Sequence, residues 1–309
     1  MKGSLGVICG GSGSSKFARA ISSYCQKIQT TQLGFVANVA DNFWYHGLFV
    51  CPDIDIITYA LSGRLDNSKG WGLNSDGLLA NQQLSEIENS PEWFSLGDKD
   101  FAMSLRRTEL LRDGWKLSSI TNHYCEIMRT SYPIHVASDD FLQTFILTIL
   151  GKMHLQEYWV KKRASLEPLG VEYLGHTEAK PNQLALESCS NNVIICPANP
   201  VTSILPTISL KGFARKLSRA KVIGISPFVG NKPFSGPAAK LMGGLGIESN
   251  SLGVAKLYSK YLKLFFVDEG EDPKIVNGIR DLSIECVKTN TKLDDVSTSS
   301  IAEELIGAF

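Results

Sequence analysis

Short, almost uniformly apolar runs recur along this chain, and most of them end in a cluster of Gly, Ser, Asn, Pro or Asp. The first, LGVIC, leads into the glycine-rich GGSGSSK and then into Phe17, Ala20, Ile21 and Tyr24 at helical spacing. This predicts a strand, a tight turn and a helix. QLGFVANVAD predicts a second strand with a polar exit, and DIDIITYALSG a helix with an aspartate near its N-cap and Gly63 just past its end. Residues 64–92 are polar, with SKGWGLNSDG as a loop before more helix, and GDKDFAMSLRRTELLRDG is a basic-faced helix closed by Gly114. YPIHVASDD, NNVIICPANP and AKVIGISPFVG each repeat the theme of an apolar strand with a polar exit, and GVAKLYSKYLKLFFVDEGED adds a helix and a strand ending in acids.

Helices alternating with strands of this kind indicate a mostly parallel sheet covered on both faces. The expected fold is α/β, a doubly wound, Rossmann-like sheet in one domain over residues 1–309, with a mainly helical insertion around 64–175. Ligands of such sheets lie at the carboxyl ends of the strands, where the polar clusters fall.

The chain carries 31 basic and 31 acidic residues. That balance offers no electrostatic reason to expect nucleic acid or an anionic membrane surface. The apolar run at the start is too short for a signal peptide, and none later reaches membrane-spanning length. Seven scattered cysteines form no C-x-x-C, so small buried thiols and a cytoplasmic location are expected. The five histidines show no zinc or triad spacing, and G-x-S-x-G is absent.

Three segments carry candidate chemistry. The turn Gly10, Gly11, Ser12, Gly13, Ser14 and Lys16 suits a phosphate at a helix N-terminus. It is neither a Walker A loop nor a complete dinucleotide fingerprint, and a bare tight turn remains the alternative. The second segment, NVADNFWYHGLFVCPDID, places Asp41, Asn42, Asp53 and Asp55 close together without a lysine or arginine. Capping, worth about 1 kcal/mol, explains one aspartate but not three. Converging oxygen ligands suit Mg²⁺ shared with substrate phosphates. The third is SPFVGNKPFSGPAAKLM, where Ser226, Asn231, Ser235, Lys232 and Lys240 offer donors and positive charge, with CPANPVTSILP presenting Asn199, Thr202 and Ser203 for a base or ribose. The cluster LRRTELLRDG adds Arg106, Arg107 and Arg112, at least one of them on a solvated face.

In order and spacing, GGSGSSK, NVADNFW, CPDIDI, GDKDFA, LLRDGWKL, the SDD at 138–140, HLQEYWVKKR, ANPVTSI, SPFVGNKPFSGPAAKLM and GVAKLY resemble the 2-phospho-L-lactate transferases (CofD-like proteins) over essentially the whole chain. The resemblance implies a transferase acting in coenzyme F-420 biosynthesis. Its donor is a guanosine diphosphate carrying lactate or a related three-carbon acid, its acceptor is the deazaflavin Fo, and GMP leaves. It further implies Mg²⁺ on Asp41 and Asp55, with Asn42 and Asp53 beside them, and Asp41 and Asp55 as catalytic groups. Residues 10–14, Lys16 and the 226–240 loop with Gly236 would hold donor phosphates. Asn199, Thr202 and Ser203 would meet the nucleoside, Asn38 the substrate, and Trp44, Phe43 or Trp159 the flat deazaflavin; each aromatic residue could equally be core. A homodimer is also implied.

The chain departs from the pattern at Asn42, where the family has an acid, at Ser104, where a histidine is usual, and at Ser14–Ser15, where Thr–Pro is commoner. The alternative is a non-catalytic nucleotide or nucleotide-sugar binding regulator of the gluconeogenesis-factor (YvcK-like) type. NFWYHG and PDID, in place of that group's glycines and its P-G-D-I-R element, favour the transferase.

Overall fold

The computed structural model describes residues 3–30, 32–89, 92–230, 232–234, 236–292 and 295–309. Seven strands form one sheet: β1 (Leu5–Cys9), β2 (Leu33–Ala37), β3 (Ile134–Val136), β4 (Asn192–Ile195), β5 (Lys221–Ile225), β6 (Leu262–Asp268) and β7 (Glu285–Thr289). All neighbouring pairs are parallel, and the spatial order is β7-β6-β5-β4-β1-β2-β3. That order extends the Rossmann arrangement by one strand. β1, β2 and β4 are buried along their whole length, as strands covered on both faces must be.

Helix α1 (Gly11–Lys27) buries Phe17, Ala18, Ile21 and Cys25 on one face. It packs on α2 (Pro52–Leu61) and on the C-terminal helix Asp295–Gly307, while the short helix Gln183–Ser188 lies against β1 and β2. Gly63 follows α2 at φ +69° and Gly114 follows α4 (Asp98–Arg112) at φ +85°, both in the left-handed region that closes helices.

The expected mainly helical insertion over 64–175 needs correcting. Helices α3 (Leu79–Ile87), α4 and α5 (Leu117–Met128) occupy its first part. Ile134–Val136 then returns to the central sheet as β3, and residues 143–174 form a three-stranded antiparallel sheet. The alternating burial of Gln143–Thr148 marks a strand with one covered face, which a search for uniformly apolar runs passes over. A second antiparallel pair, Phe43–Tyr45 with Leu48–Val50, turns at His46 and Gly47, both at positive φ.

Candidate active site

β1 has β2 on one side and β4 on the other, so the connections leaving β1 and β4 diverge and open a crevice at the carboxyl ends. The glycine turn fills it. A Cβ on Gly10 would stand 2.5 Å from Asp53 Oδ2 and 2.9 Å from Ser203 Cβ, and one on Gly13 would stand 2.5 Å from Pro197 O. Only glycine lets the turn pass between these neighbours. Ser14 Oγ donates to Gly10 O at 2.7 Å and accepts the Gly10 N–H at 3.1 Å, which closes the turn from inside.

Asn38, buried at the exit of β2, gathers the acids. Its Nδ2 donates to Asp53 Oδ2 at 2.9 Å, to Asp41 Oδ1 at 3.2 Å and to Thr202 O at 3.2 Å. Asp53 also accepts the Gly11 N–H at 2.6 Å, so it caps the N-terminus of α1 and not its own helix, whose N-cap Cys51 has no side-chain cap. Burial pushes the Asp53 carboxyl up to about 6. Burial, and then the neighbouring Asp53 charge, raise Asp41 well above the usual carboxylate range. The next side chain, Asn42, is buried with no hydrogen-bond partner on its Oδ1. Two buried, mutually repelling carboxylates sharing one amide donor are a hard-oxygen pair that fits a divalent cation. Among the described residues, no group of three His, Cys, Asp or Glu stands ready for one, so substrate oxygens and water would complete the shell.

Asp55 behaves differently. Both its oxygens face the guanidinium of Arg107, Oδ2 at 3.1 Å from Nη1 and Oδ1 on Nη2, and Arg107 Nη1 also donates to Phe49 O at 3.2 Å. Burial raises the Asp55 carboxyl, and Arg107 pulls it back. Burial also works against the charge on Arg107, but Asp55 more than restores it. The expectation that at least one of these arginines lies on a solvated face holds for Arg106 and Arg112, which are exposed, while Arg107 is 1% exposed. Asp55, expected as a metal ligand, is engaged here by Arg107.

These acids line a cavity of about 430 Å³ together with Gly11 and Ser12. The rest of its wall includes Tyr59, Trp71, Gly72, Phe94, Leu96, Asp100, Gln156 and Trp159. Phe94 is held in a satellite cluster of Phe43, Tyr45, Val50, Leu96 and Trp93, with Phe43 and Phe94 edge to face at 5.0 Å. The cavity wall thus has a polar part, the acids with Gly11 and Ser12, and an aromatic part, Tyr59, Trp71, Phe94 and Trp159.

Other expected residues fall elsewhere. Ser226 is fully buried, its hydroxyl on Ser251 Oγ at 2.8 Å and accepting the Phe228 N–H at 3.1 Å, so it braces the loop and does not face the cavity. Lys240 Nζ is tied to Ala164 O at 2.9 Å and to Glu167 at 3.0 Å. Asn199 caps the turn that follows it, accepting from Val201 N at 3.0 Å. Thr202 and Ser203 are buried behind the glycine turn, and Gly236 packs on Trp159. Trp44 is 51% exposed and packs on Phe49 outside the cavity. Lys16 is half-buried on α1. Asn231 and Ser235 lie outside the described residues. Tyr59, Trp71, Asp100 and Gln156 were missed as site residues, although the run GDKDFA that holds Asp100 belongs to the motif set.

The family model described as "2-phospho-L-lactate transferase CofD" matches residues 6–303. A 2-phospho-L-lactate transferase of Methanosarcina acetivorans is 34% identical over 98% of both chains. A phosphoenolpyruvate transferase of Nocardia farcinica is 31% identical over 97% of this chain and 93% of its own. The crystal structure of a UPF0052 family member from Bacillus halodurans superposes with a TM-score of 0.66 at 12% identity, covering 99% of each chain, and so shares the fold. With its α/β sheet and acid-lined crevice, this chain belongs to the 2-phospho-L-lactate transferase family.

Proposed function

We propose that the chain transfers a 2-phospholactyl, phosphoenolpyruvyl or phosphoglyceryl group from a guanosine-diphosphate-linked donor to the deazaflavin Fo, releasing GMP, with Mg²⁺ as cofactor. The observation that carries this reading is the meeting of Asp41, Asp53, Gly11 and Ser12 in the polar part of a cavity wall that also has an aromatic part. A diphosphate suits the first part and a flat heterocycle the second.

The backbone at the start of α1 offers N–H groups and a positive helix end to the donor phosphates. Asp53 fixes that end through Gly11, and Asn38 holds Asp53 and Asp41 in one orientation. Asp41 and Asp53, with Asn42 beside them, would hold the Mg²⁺. When bound, the ion neutralises diphosphate charge and the charge developing on the leaving GMP. Arg107 orients Asp55 at the cavity wall. Trp71, Phe94 and Trp159 give the acceptor's flat ring an aromatic wall.

The test is GMP release and product mass from purified protein with Mg²⁺, Fo and each guanylylated three-carbon acid in turn. Turnover with one donor, dependent on Fo, is expected and names the acid. Tight nucleotide binding with no turnover under any donor would establish the regulator reading instead.

A further inference from the structure

Four carboxylates line the cavity: Asp41, Asp53, Asp55 and Asp100. Asp41 and Asp53 share the Asn38 amide, and Asp55 is matched by Arg107. Among the described residues, no cation is paired with Asp100. It projects from the first turn of α4, where Tyr59 Oη donates to its Oδ1 at 2.6 Å. Its Oδ2 lies 3.3 Å from where a Cβ on Gly97 would sit and 3.7 Å from one on Gly72, and the Gly97 backbone hydrogen-bonds the carboxyl, so this oxygen sits between the start of α4 and the Trp71–Gly72 wall of the cavity.

We propose that Asp100 is the catalytic residue that takes the proton from the acceptor hydroxyl. The proposal rests on the transferase reading above. The acceptor oxygen bonds to the phosphorus that carries the three-carbon acid, and the bond from that phosphorus to the bridging oxygen breaks. The bridging oxygen keeps the electron pair and leaves with GMP, while the hydroxyl proton passes to the Asp100 carboxylate and from there to solvent after product release.

The surroundings suit the task. Asp55 and Tyr59 face Asp100 from α2, and Asp76 faces it from the connection before α3. The neighbouring Lys99 ammonium is directed away, to Asn74 O at 3.0 Å and Ser75 O at 2.9 Å. Burial, with the Asp55 and Asp76 charges behind it, lifts the Asp100 carboxyl to about 6, while the Tyr59 bond opposes the rise. A carboxylate of that basicity is ionised at neutral pH yet still accepts a proton.

The experiment measures kcat and the KM of each substrate from pH 5 to 8 with Mg²⁺, the guanylylated acid and Fo, for wild type, Asp100→Asn and Tyr59→Phe. Wild type is expected to lose kcat below about pH 6. Asp100→Asn should lower kcat by about 100-fold or more, keep the donor KM within about twofold, and lose the acid limb. Tyr59→Phe should stay active and move the limb upward, because it removes a donor to the ionised form. If Asp100→Asn does not fold, judged by circular dichroism, the Tyr59→Phe limb decides. An Asp100→Asn enzyme that keeps the wild-type rate or its acid limb, or a Tyr59→Phe limb that does not move, overturns the proposal. Absence of GMP release from wild type under every donor overturns the transferase reading, and the proposal with it.

Discussion

In the polar part of the cavity wall, each acid is tied to backbone at a strand exit or helix start: Asp53 to Gly11, and Asp41 through Asn38 to Thr202. The aromatic part hangs on a hairpin, a long connection and helices that never enter the central sheet, and it is held by ring contacts such as Phe43 with Phe94 and by single hydrogen bonds such as Tyr59 with Asp100. The strand exits thus supply the electrostatic part of the site, and the hairpin, α2 and the insertion supply the apolar one. Relatives named for phospholactate and phosphoenolpyruvate transfer share this whole chain length, as expected if the framework persists while small pocket groups vary.

The comparison can be broken hardest at Arg107, which ties α4 to α2 through Asp55. Arg107→Met leaves the buried Asp55 charge unmatched and should cost about 3–5 kcal/mol in denaturant unfolding. A loss under 1 kcal/mol would mean that Asp55 finds another partner. Next comes Gly10→Ala, whose methyl would meet Asp53 Oδ2 at 2.5 Å and Ser203 at 2.9 Å. It should raise the donor KM at least about tenfold while leaving the acceptor KM nearly unchanged, because the turn must shift by a distance that phosphate contacts do not tolerate. Equal changes in both constants would show that the two parts are not independent.

Protons sharpen the contrast more gently. Asp100, raised to about 6, binds its proton more tightly in the folded protein than in the unfolded chain, so its contribution to stability falls as pH rises from 4 through 6. Asp100→Asn should therefore gain stability relative to wild type on going from pH 5 to pH 7, on the order of 1 kcal/mol. His154, stacked on Phe43 at 5.4 Å and lowered by burial to about 4, has the opposite sign, since the unfolded chain binds the proton first. His154→Asn should narrow the loss of stability between pH 7 and pH 5, read from melting curves. The smallest effect is expected at Trp44, which stands outside the cavity. Trp44→Ala should change either KM by less than about twofold, and a larger acceptor effect would place this ring in the site.

Much of the polar part was legible because its signals are local. The turn at 10–16 sits between a strand and a helix of clear period, and three aspartates in an apolar stretch demand more than capping. Arg107 was not legible, since an arginine on a helix looks the same whether its carboxylate partner lies 52 positions away or is absent. Ser226 misled for the same reason: a serine at a strand exit reads as a phosphate donor until Ser251 takes its hydroxyl. The hairpin at 43–50 did carry a signal, two short apolar runs, FWY and LFV, on either side of His46–Gly47. The aromatic part depends on Tyr59, Trp71, Phe94 and Trp159 meeting across a hundred residues, and no spacing rule brings those together.

The account stands on Asp41 and Asp53 forming the charged centre of a transfer site. Its most direct test is the rate of Fo-dependent GMP release with and without Mg²⁺, in wild type and in Asp53→Asn with its fold verified. The account predicts turnover that is lost on chelation and falls at least about 100-fold in the variant. Release at the wild-type rate without a divalent cation, or undiminished in Asp53→Asn, would contradict it.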